Sequence, residues 1–403
     1  MGKTEHSGSG ALDGIRVLDL GLLVQGPQAA LLLADLGADV IKVELPLMGD
    51  QARWLPVSAE DERAPWFIGC NRGKKSITLD LRKEEGQEVF LKLSETADVV
   101  ISNFTPGTME NWGLGYENLA ERNPGIIFGA ASAFGPLGPD SSRSGADICG
   151  QAAGGMLYST GTGPEDMTPI AVTLSDHIGS QNLVSGILAA LYHRERTGSG
   201  QKVEVSLLGG QIYAQTSEYT AYFLSGNLPN YAQHGHPLLR LIYGVFPTSD
   251  GQIALAGVDG PTIPEFFEAI GRPEMTSDPR FETGWISDEH RETLFEILAE
   301  AFQTKTTAEW ESTFSGSDLR FAAVRNYAQV GADEGAFING YLQRVDHPEW
   351  GSITMVGSPI RLSRTPATPG QIAPELGQHT EEVLLELEYD WDRITTLREK
   401  GVI

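Results

Sequence analysis

Residues 15–44 read IRVLDLGLLVQGPQAALLLADLGADVIKVE, and this stretch decides the fold. The short run of β-branched and aliphatic residues at 15–20 predicts a buried strand. After Gly26-Pro27, the apolar spacing over residues 28–36 predicts a helix, and residues 40–44 predict a second strand. Strand, helix and strand in this order are typical of a parallel βαβ unit, in which ligands lie beyond the carboxyl ends of the strands.

The same alternation continues over the first 150 residues. Strands are predicted at residues 76–80, 98–103 and 125–130, with a helix at 83–97. Near residue 225 the pattern changes, which indicates a separate module. Its strands and helices, and those of the C-terminal tail, are predicted at residues 243–247, 251–256, 262–270, 290–302, 307–314, 381–387 and 391–400. The chain is therefore expected to be an α/β protein with a parallel sheet.

Composition excludes several classes of protein. A length of 403 residues exceeds one usual core, so two domains are expected. A net charge of -25 argues against nucleic-acid binding, which needs basic surface. The sequence contains no apolar run of the ~20 residues that a membrane helix needs, and residues 1–10 are predicted to be a flexible lead. Two cysteines, Cys70 and Cys149, are typical of a protein of the reducing cytoplasm.

Neither a metal nor a dinucleotide site is predicted. His234 and His236 have a His-x-His spacing, but they lie in a Gly/Pro segment without nearby Cys, Asp or Glu, which favours a solvated loop. No GxGxxG follows the first strand, and no P-loop motif stands between a strand and a helix.

Asp176 follows an apolar, β-branched run and begins a long helical pattern. A carboxylate at such a junction has two interpretations. It is either an N-cap that accepts the first free helix amides, or a nucleophile presented by a rigid strand-to-helix turn.

The segment NRGKKS at residues 71–76, with Arg82 and Lys83 just beyond, is the basic cluster of an otherwise acidic chain. It fits phosphate binding and a solvated turn equally well.

Taken together, the motifs resemble the class III CoA-transferases, which include formyl-CoA and carnitine CoA-transferases and are related to the 2-methylacyl-CoA racemases. The matching stretches run in family order over almost the whole chain. They are Gly26-Pro27, LADLGADVIKVE (33–44), NRGKKSITLDL (71–81), NFTPG (103–107), GLGYE (113–117), FGP (134–136), GAD (145–147) with Gln151, GILAALYHRERTGSGQ (186–201), YGVF (243–246) and LGQHT (376–380).

The resemblance implies a large Rossmann-like domain built from both ends of the chain and a smaller α+β domain between them. The expected division is a large domain at 11–224, a small domain at 225–330, and a return segment with C-terminal helices at 331–403. The resemblance also implies a homodimer whose subunits interlock like rings.

By the same resemblance, Asp176 occupies the position of the nucleophile. Its carboxylate would attack an acyl-CoA thioester to give a mixed anhydride and then an aspartyl-CoA thioester, before the acceptor carboxylate reverses the sequence. With an ordinary pKa of about 3.9, the group is expected to be ionised at neutral pH without a base. Coenzyme A enters as the acyl-CoA substrate, no permanent cofactor is implied, and the partners are acyl-CoA and a carboxylic acid, with no nucleic acid and no membrane.

The expected CoA contacts also follow from the resemblance. They are Val24, Gln25, Lys74, Lys75, Leu79, Asp80, Leu81, Arg82, Asn103, Phe104, Arg143, Ser144, Gly145 and Asp147. The chain departs from the family at Thr105 and Asn111, where arginine is frequent. Phosphate binding is therefore assigned to Arg72, Lys74, Lys75, Arg82 or Arg143. The glycine-rich lid that closes over the site of the formyl-CoA enzyme is not recognisable in this sequence, and residues 234–237 suggest a different, shorter loop.

Two rivals remain. A racemase would use a histidine before the aspartate of a Gly-His-Asp motif, but this chain has Ala146 there, and His177 is expected to point away along the helix start. A non-catalytic acyl-CoA-binding protein is the second. The acid, and whether CoA moves between molecules or within one diacid, stay open.

Overall fold

The computed structural model describes residues 10–161, 163, 165–229, 235–236, 238–281, 286–370 and 372–403. Most of the predicted flexible lead, and His234 and Pro237 of the predicted short loop, lie outside the described residues. The chain divides into two compact units. The larger comprises the described parts of residues 1–154, 171–214 and 333–403, and the smaller those of 155–170 and 215–332. The expected small domain was 225–330.

The described strands are β1 (Arg16–Asp19), β2 (Asp39–Glu44), β3 (Lys75–Thr78), β4 (Val99–Ser102), β5 (Ile127–Ser132), β6 (Lys202–Ser206), β7 (Ile242–Pro247), β8 (Gln252–Val258), β9 (Phe321–Ala323), β10 (Leu342–His347) and β11 (Gly351–Val356).

The described α-helices are α1 (Gln25–Asp35), α2 (Pro65–Asn71), α3 (Glu84–Ser94), α4 (Thr108–Asn111), α5 (Tyr116–Arg122), α6 (Asp147–Ala153), α7 (Met156–Ser159), α8 (Leu174–Thr197), α9 (Leu207–Ala214), α10 (Thr216–Ser225), α11 (Thr262–Ala269), α12 (Asp288–Phe302), α13 (Thr307–Phe314), α14 (Tyr327–Gly331), α15 (Glu334–Ile338), α16 (Thr380–Glu386) and α17 (Trp391–Glu399). Short 3-10 helices lie at Gln51–Trp54 and Pro273–Ser277.

A six-stranded parallel sheet forms the centre of the larger unit, in the order β3-β2-β1-β4-β5-β6. The parallel α/β sheet predicted from the sequence is confirmed, with a sixth strand, β6, that the prediction missed. Helices cover both faces, so alternate strand residues enter two different cores: Val17 packs into one and Leu18 into the other.

This strand order reverses between β1 and β4, and the crevice beyond the carboxyl ends of those two strands is where such sheets bind ligands. The loop after β1 leads into α1, and the segment after β4 begins with Asn103. Asn103 Oδ1 accepts the backbone N–H of Leu22 at 2.8 Å, and its Nδ2 donates to the carbonyl of Leu22 at 2.8 Å. The two segments are thus joined at the switch point of the sheet.

The smaller unit has its own core around the antiparallel sheet β7-β8-β9. Aromatic side chains of β7, α11, α12 and α13 fill it, among them Phe246, Phe302 and Trp310, with the Phe302 and Trp310 rings 4.9 Å apart. The aromatic packing accounts for a separate hydrophobic core in this part of the chain. In the larger unit, β10 and β11 pair as an antiparallel hairpin.

Candidate active site

Asp176 lies inside the first turn of α8, a helix of 24 residues, and not at its N-cap, which is Thr173. Of the two interpretations of Asp176, the N-cap is therefore wrong. The apolar run before it, residues 169–173, does not form a strand either, so the strand-to-helix turn is also absent. The run instead leads into the helix as irregular backbone.

Another carboxylate caps the start of α8. Asp147 Oδ1 accepts the backbone N–H of Ser175 at 2.6 Å and that of Asp176 at 3.3 Å. Its second oxygen, Oδ2, accepts the side-chain amide of Gln151 at 2.6 Å, one turn further along α6. Asp147 was predicted to contact CoA. Its side chain is engaged with the helix that carries Asp176.

The carboxylate of Asp176 is partly buried, and no donor of the described residues contacts it. Burial, and then the nearby charge of Asp147, raise the pKa of Asp176 to about 7. The expectation that this group is fully ionised at neutral pH is therefore wrong.

Gln25 lies beside α8, at the start of α1. Its side chain is 4% exposed, and its Nε2 is buried without a hydrogen-bond partner among the described residues. The amide packs on Gly179 of α8, where an added Cβ would lie 2.4 Å from Nε2. The carbonyl of Gln25 accepts the hydroxyl of Ser180 at 2.7 Å. A buried amide without a partner is costly, so Gln25 offers a ready donor to a bound group.

His177 is turned away from Asp176, as expected from the sequence. Its Nδ1 lies 2.5 Å from Gln28 Oε1, and its Nε2 lies 3.3 Å from the hydroxyl of Thr173. Burial lowers the pKa of His177, with Asp147 acting in the opposite direction, so the ring is neutral at pH 7. Ala146, at the N-cap of α6, supplies no titratable group. The two-base arrangement of a racemase is therefore incomplete among the described residues.

Lys74 belongs to a buried cluster of charges that includes Asp19 and Lys42, all fully buried. Its ammonium group donates to Asp19 at 2.7 Å, to the carbonyl of Pro27 at 2.8 Å and to Asn71 at 2.8 Å. All three donors are used, so the prediction that Lys74 binds phosphate is wrong. Because Lys42 also donates to the carbonyl of Gly21 at 2.7 Å, the cluster holds both ends of the loop that presents Val24 and Gln25.

Lys75 and Arg72 are also unsuited to phosphate. Lys75 begins β3 and pairs with Asp39, which begins β2, and with Glu382 at 3.1 Å. It therefore lies at the amino edge of the parallel sheet, opposite the edge where Asn103 lies, and this contact prediction is wrong as well. Arg72 is buried in a two-point ion pair with Asp35.

In the segment after β3, fewer side chains are free to contact CoA than the sequence predicted. Leu79 and Leu81 belong to the hydrophobic core, so only their backbone is left to contact a ligand. Asp80 is buried and accepts two hydrogen bonds from the guanidinium of Arg82 and one from its backbone N–H, and the Arg82 side chain is 62% exposed. Arg82 therefore stays available as a surface cation.

The residues before α6 are exposed, including Ser144 and Gly145. Arg143 is 61% exposed, pairs with Asp140 at 2.9 Å and lies over the ring of Phe134. Arg143 and Arg82 are thus the predicted phosphate contacts that the structure leaves accessible.

The walls of two cavities in the larger unit include His177, which is next to Asp176, and Phe104, a predicted CoA contact. One of about 780 Å³ lies between α1, α2, the start of α8 and the β10–β11 hairpin, with Gln28, His177 and Trp350 in its wall. The other, of about 350 Å³, lies along β5 and β6 beside the carboxyl end of β4, and Phe104, Thr105 and Lys202 line it. Val24, the N-cap of α1, is buried near the first turn of that helix.

The arrangement brings together the loop after β1, Asn103, Asp147 and the start of α8, and it leaves out Lys74 and Lys75. A sequence family described as CoA-transferase family III matches residues 12–380. The chain belongs to the class III CoA-transferase family. It is accordingly an enzyme of the CoA-transferase class, and acyl-CoA thioesters are the substrates of that class.

Individual members of the family resemble the whole chain. Succinyl-CoA:glutarate CoA-transferase of Mus musculus is 32% identical over 97% of this chain and 90% of its own. Succinyl-CoA:mesaconate CoA-transferase of Haloarcula hispanica is 36% identical over 94% of this chain and 96% of its own. A CAIB/BAIF family protein from Brucella suis superposes with a TM-score of 0.83, at 30% identity, over 94% of this chain and 100% of its own.

Two further features of this class III CoA-transferase relate to its location in the cell. Cys70 and Cys149 are free thiols. None of the described helices has the length and apolar character to cross a bilayer. The cytoplasm stays a prediction from the sequence.

Proposed function

We propose that this enzyme moves CoA from the thioester of a dicarboxylic acid, such as succinyl-CoA, to a second carboxylic acid. The transfer passes through covalent intermediates on Asp176. The observation that carries the proposal is the state of that side chain. It is partly buried, it has no donor among the described residues, and its pKa is raised to about 7. A desolvated carboxylate of raised basicity is a better nucleophile than a solvated one.

The proposed reaction begins with attack by an Asp176 oxygen on the thioester carbonyl carbon. A C–O bond forms, the C–S bond breaks, and CoA leaves as the thiolate, which gives a mixed anhydride. The thiolate then attacks the aspartyl carbonyl carbon, releases the donor acid as its carboxylate and leaves an aspartyl-CoA thioester. The acceptor carboxylate repeats the two steps in reverse and restores Asp176.

Each step passes through a tetrahedral oxyanion that needs donors. In the proposal, Nε2 of Gln25 supplies one of them, because it is buried beside the first turns of α8 and has no hydrogen-bond partner among the described residues. Asn103 takes a supporting role, since both of its amide atoms are used to hold Leu22 in the preceding loop.

The proposed CoA site follows the crevice at the switch point of the sheet. Phe104 lines the 350 Å³ cavity beside the carboxyl end of β4, and its ring suits contact with a flat apolar group of the substrate. Arg82 and Arg143 are the proposed phosphate contacts, in place of the arginines that the family often has at the positions of Thr105 and Asn111. Locally placed cations are needed because the chain carries a net charge of -25.

The names of the relatives support the choice of substrate class. The mouse enzyme and the Haloarcula enzyme are both named for succinyl-CoA as donor, with glutarate and mesaconate as acceptors. We therefore include both acids in the test. Purified enzyme is incubated with succinyl-CoA and each acid, or with a monocarboxylic acid, and new thioesters are measured by liquid chromatography and mass spectrometry.

We expect a new thioester with at least one dicarboxylic acid and none with Asp176→Asn. Asp390→Asn is the matched control, because Asp390 caps the remote helix α17 through the N–H of Arg393 at 2.8 Å. Absence of transfer with every acid by folded protein would overturn the proposal. Uptake of solvent deuterium at the α-carbon of an acyl-CoA without an acceptor would favour a racemase instead.

A homodimer with interlocked subunits is part of the proposal. Large apolar side chains are exposed on α15 and β11 of the larger unit, where Ile338 is 81% and Val356 70% exposed. Exposed apolar surface of this kind is typical of interfaces. Light scattering after size exclusion should give the mass of two chains, and a monomer at micromolar concentration would contradict this part.

A further inference from the structure

Three helices meet at the residue before the nucleophile. Ser175 of α8 receives the side-chain amide of Gln211 from α9 on its hydroxyl at 2.7 Å, and Asp147 of α6 accepts its backbone N–H. Gly150 of α6 packs so closely that an added Cβ would lie 2.8 Å from the Ser175 hydroxyl oxygen. Asp147 is itself fixed by Gln151, one helical turn away. The start of α8 is therefore held by a side chain from a neighbouring helix.

We infer that Asp147 is a positioning residue for Asp176. Asp147 fixes the start of α8, and its negative charge repels the carboxylate of Asp176 until that carboxylate is acylated. This inference rests on the proposed function of Asp176 as the nucleophile. It differs from the CoA contact that the sequence suggested for Asp147.

Asp147 occupies two backbone amides at the start of α8. Free N–H groups in the first turn of a helix stabilise a nearby anion. Asp147 takes the N–H groups of both Ser175 and Asp176, so these donors are not available to the carboxylate of Asp176. The same interaction brings a second negative charge near that carboxylate.

Asp147 is also the charged neighbour that acts on the carboxylate of Asp176. The titratable groups of the described residues that interact with it are Asp147 on α6 and Cys70 on α2, with His177 next to it on α8. Burial raises the pKa of the Cys70 thiol to about 11 and lowers the pKa of His177, so both are neutral at pH 7. From α1 and α9 the neighbouring side chains are the uncharged amides Gln25, Gln28 and Gln211. The charge of Asp147 is therefore unopposed within this group.

The proposed reaction removes the negative charge from Asp176. When an Asp176 oxygen attacks the thioester, the C–O bond forms, the C–S bond breaks and the negative charge leaves on the CoA sulfur. The anhydride and the aspartyl-CoA thioester are both neutral at Asp176, so repulsion from Asp147 is relieved in each. Asp147 thus favours the covalent states over the free carboxylate and raises the basicity of the attacking oxygen.

The test compares Asp147→Asn, Asp147→Ala and the control Asp390→Asn. Asparagine keeps an oxygen that can accept the two N–H groups but removes the charge, whereas alanine removes both. The apparent pKa of Asp176 is measured by carbon NMR of labelled aspartate, assigned by difference with Asp176→Asn. This readout does not depend on catalysis. The pH profile of kcat/KM is measured in parallel.

We expect Asp147→Asn to lower the apparent pKa of Asp176, and the acid limb of kcat/KM, by about one pH unit or more. Asp147→Ala should also lower kcat by about tenfold or more, with little change in KM for acyl-CoA, because the start of α8 loses its anchor. Asp390→Asn should leave the pH profile unchanged. If Asp147→Ala does not fold, Asp147→Asn alone decides.

An unchanged pKa of Asp176 in Asp147→Asn would overturn the inference. If the same variant also had a raised KM for acyl-CoA, Asp147 would be assigned as a direct CoA contact instead. If the pKa shifts but no CoA adduct forms on Asp176 in the wild-type protein, the positioning geometry stands and the proposed function fails. The two failures are therefore distinguishable.

Discussion

Asp147 Oδ1 accepts the backbone N–H of Asp176 at 3.3 Å, so one acidic residue caps the helix turn that carries another. The helix gains its N-terminal anchor from α6, and the carboxylate of Asp176 is left without a donor among the described residues. Two like charges near a partly buried helix start cost stability, and such local costs are typical of functional sites. The predictions below follow from this relationship and from the buried charges around it.

Asp176→Asn should stabilise the protein at alkaline pH. The folded state raises the pKa of Asp176 from about 3.9 to about 7, so it binds more protons than the unfolded chain between these values. Stability is therefore lost as the pH rises through this range. We expect the variant to exceed the wild type by roughly 2–4 kcal/mol at pH 8 and by little at pH 4. Urea unfolding at pH 4 and pH 8 measures the difference in free energy of unfolding between the variant and the wild type. The same difference at the two pH values would contradict the prediction.

Gly179→Ala should impair catalysis more than folding. The new methyl group would lie 2.4 Å from Gln25 Nε2 and displace the buried amide. We expect kcat/KM to fall by about 10- to 100-fold, because a small misplacement of a donor is sufficient for such losses. Gly331→Ala is the control, since nothing lies within 4 Å of a Cβ there. Equal activity of the two variants would argue against a role of Gln25.

Arg82→Ala and Arg143→Ala should each raise KM for acyl-CoA several-fold with little change in kcat. Both side chains are more than half exposed, and each is paired with a single carboxylate. A phosphate contact of this kind weakens with salt, so the effect should shrink as ionic strength rises. Initial rates at low and high salt measure it. Unchanged KM in both variants would remove the assignment.

Lys74→Met should unfold the protein or lower its free energy of unfolding by about 3–5 kcal/mol, because removing one partner leaves buried charge unpaired. Lys75→Met, at the adjacent position, should change it by less than about 1 kcal/mol, since Lys75 is partly exposed. Chemical denaturation measures both. A folded Lys74→Met protein with normal stability but a raised KM for acyl-CoA would show that Lys74 binds the phosphates of CoA after all.

Much of the sheet could be predicted from the sequence, because its central strands are buried apolar runs. The positions of β1 and β2 followed from residues such as Val17 and Ile41, which are fully buried. Strand β6 was missed, because its residues are only partly buried and alternate with Lys202 and Glu204.

The site was predictable only in part. Asp176 stands out in the sequence and in the structure, but its relation to Asp147 joins residues from two helices, which local patterns do not reveal. Lys74 and Lys75 are neighbours with opposite surroundings, one fully buried and one at the amino edge of the sheet. Basic composition alone does not distinguish them. A raised pKa likewise depends on burial, which follows from packing.

The most direct test of the account is the covalent state of Asp176. The enzyme is incubated with succinyl-CoA without an acceptor acid, quenched, digested and analysed by mass spectrometry. We expect a gain equal to CoA less one water on the peptide that contains Asp176, lost after treatment with hydroxylamine and absent from Asp176→Asn. CoA transfer by Asp176→Asn, or an adduct on a different residue, would contradict the account.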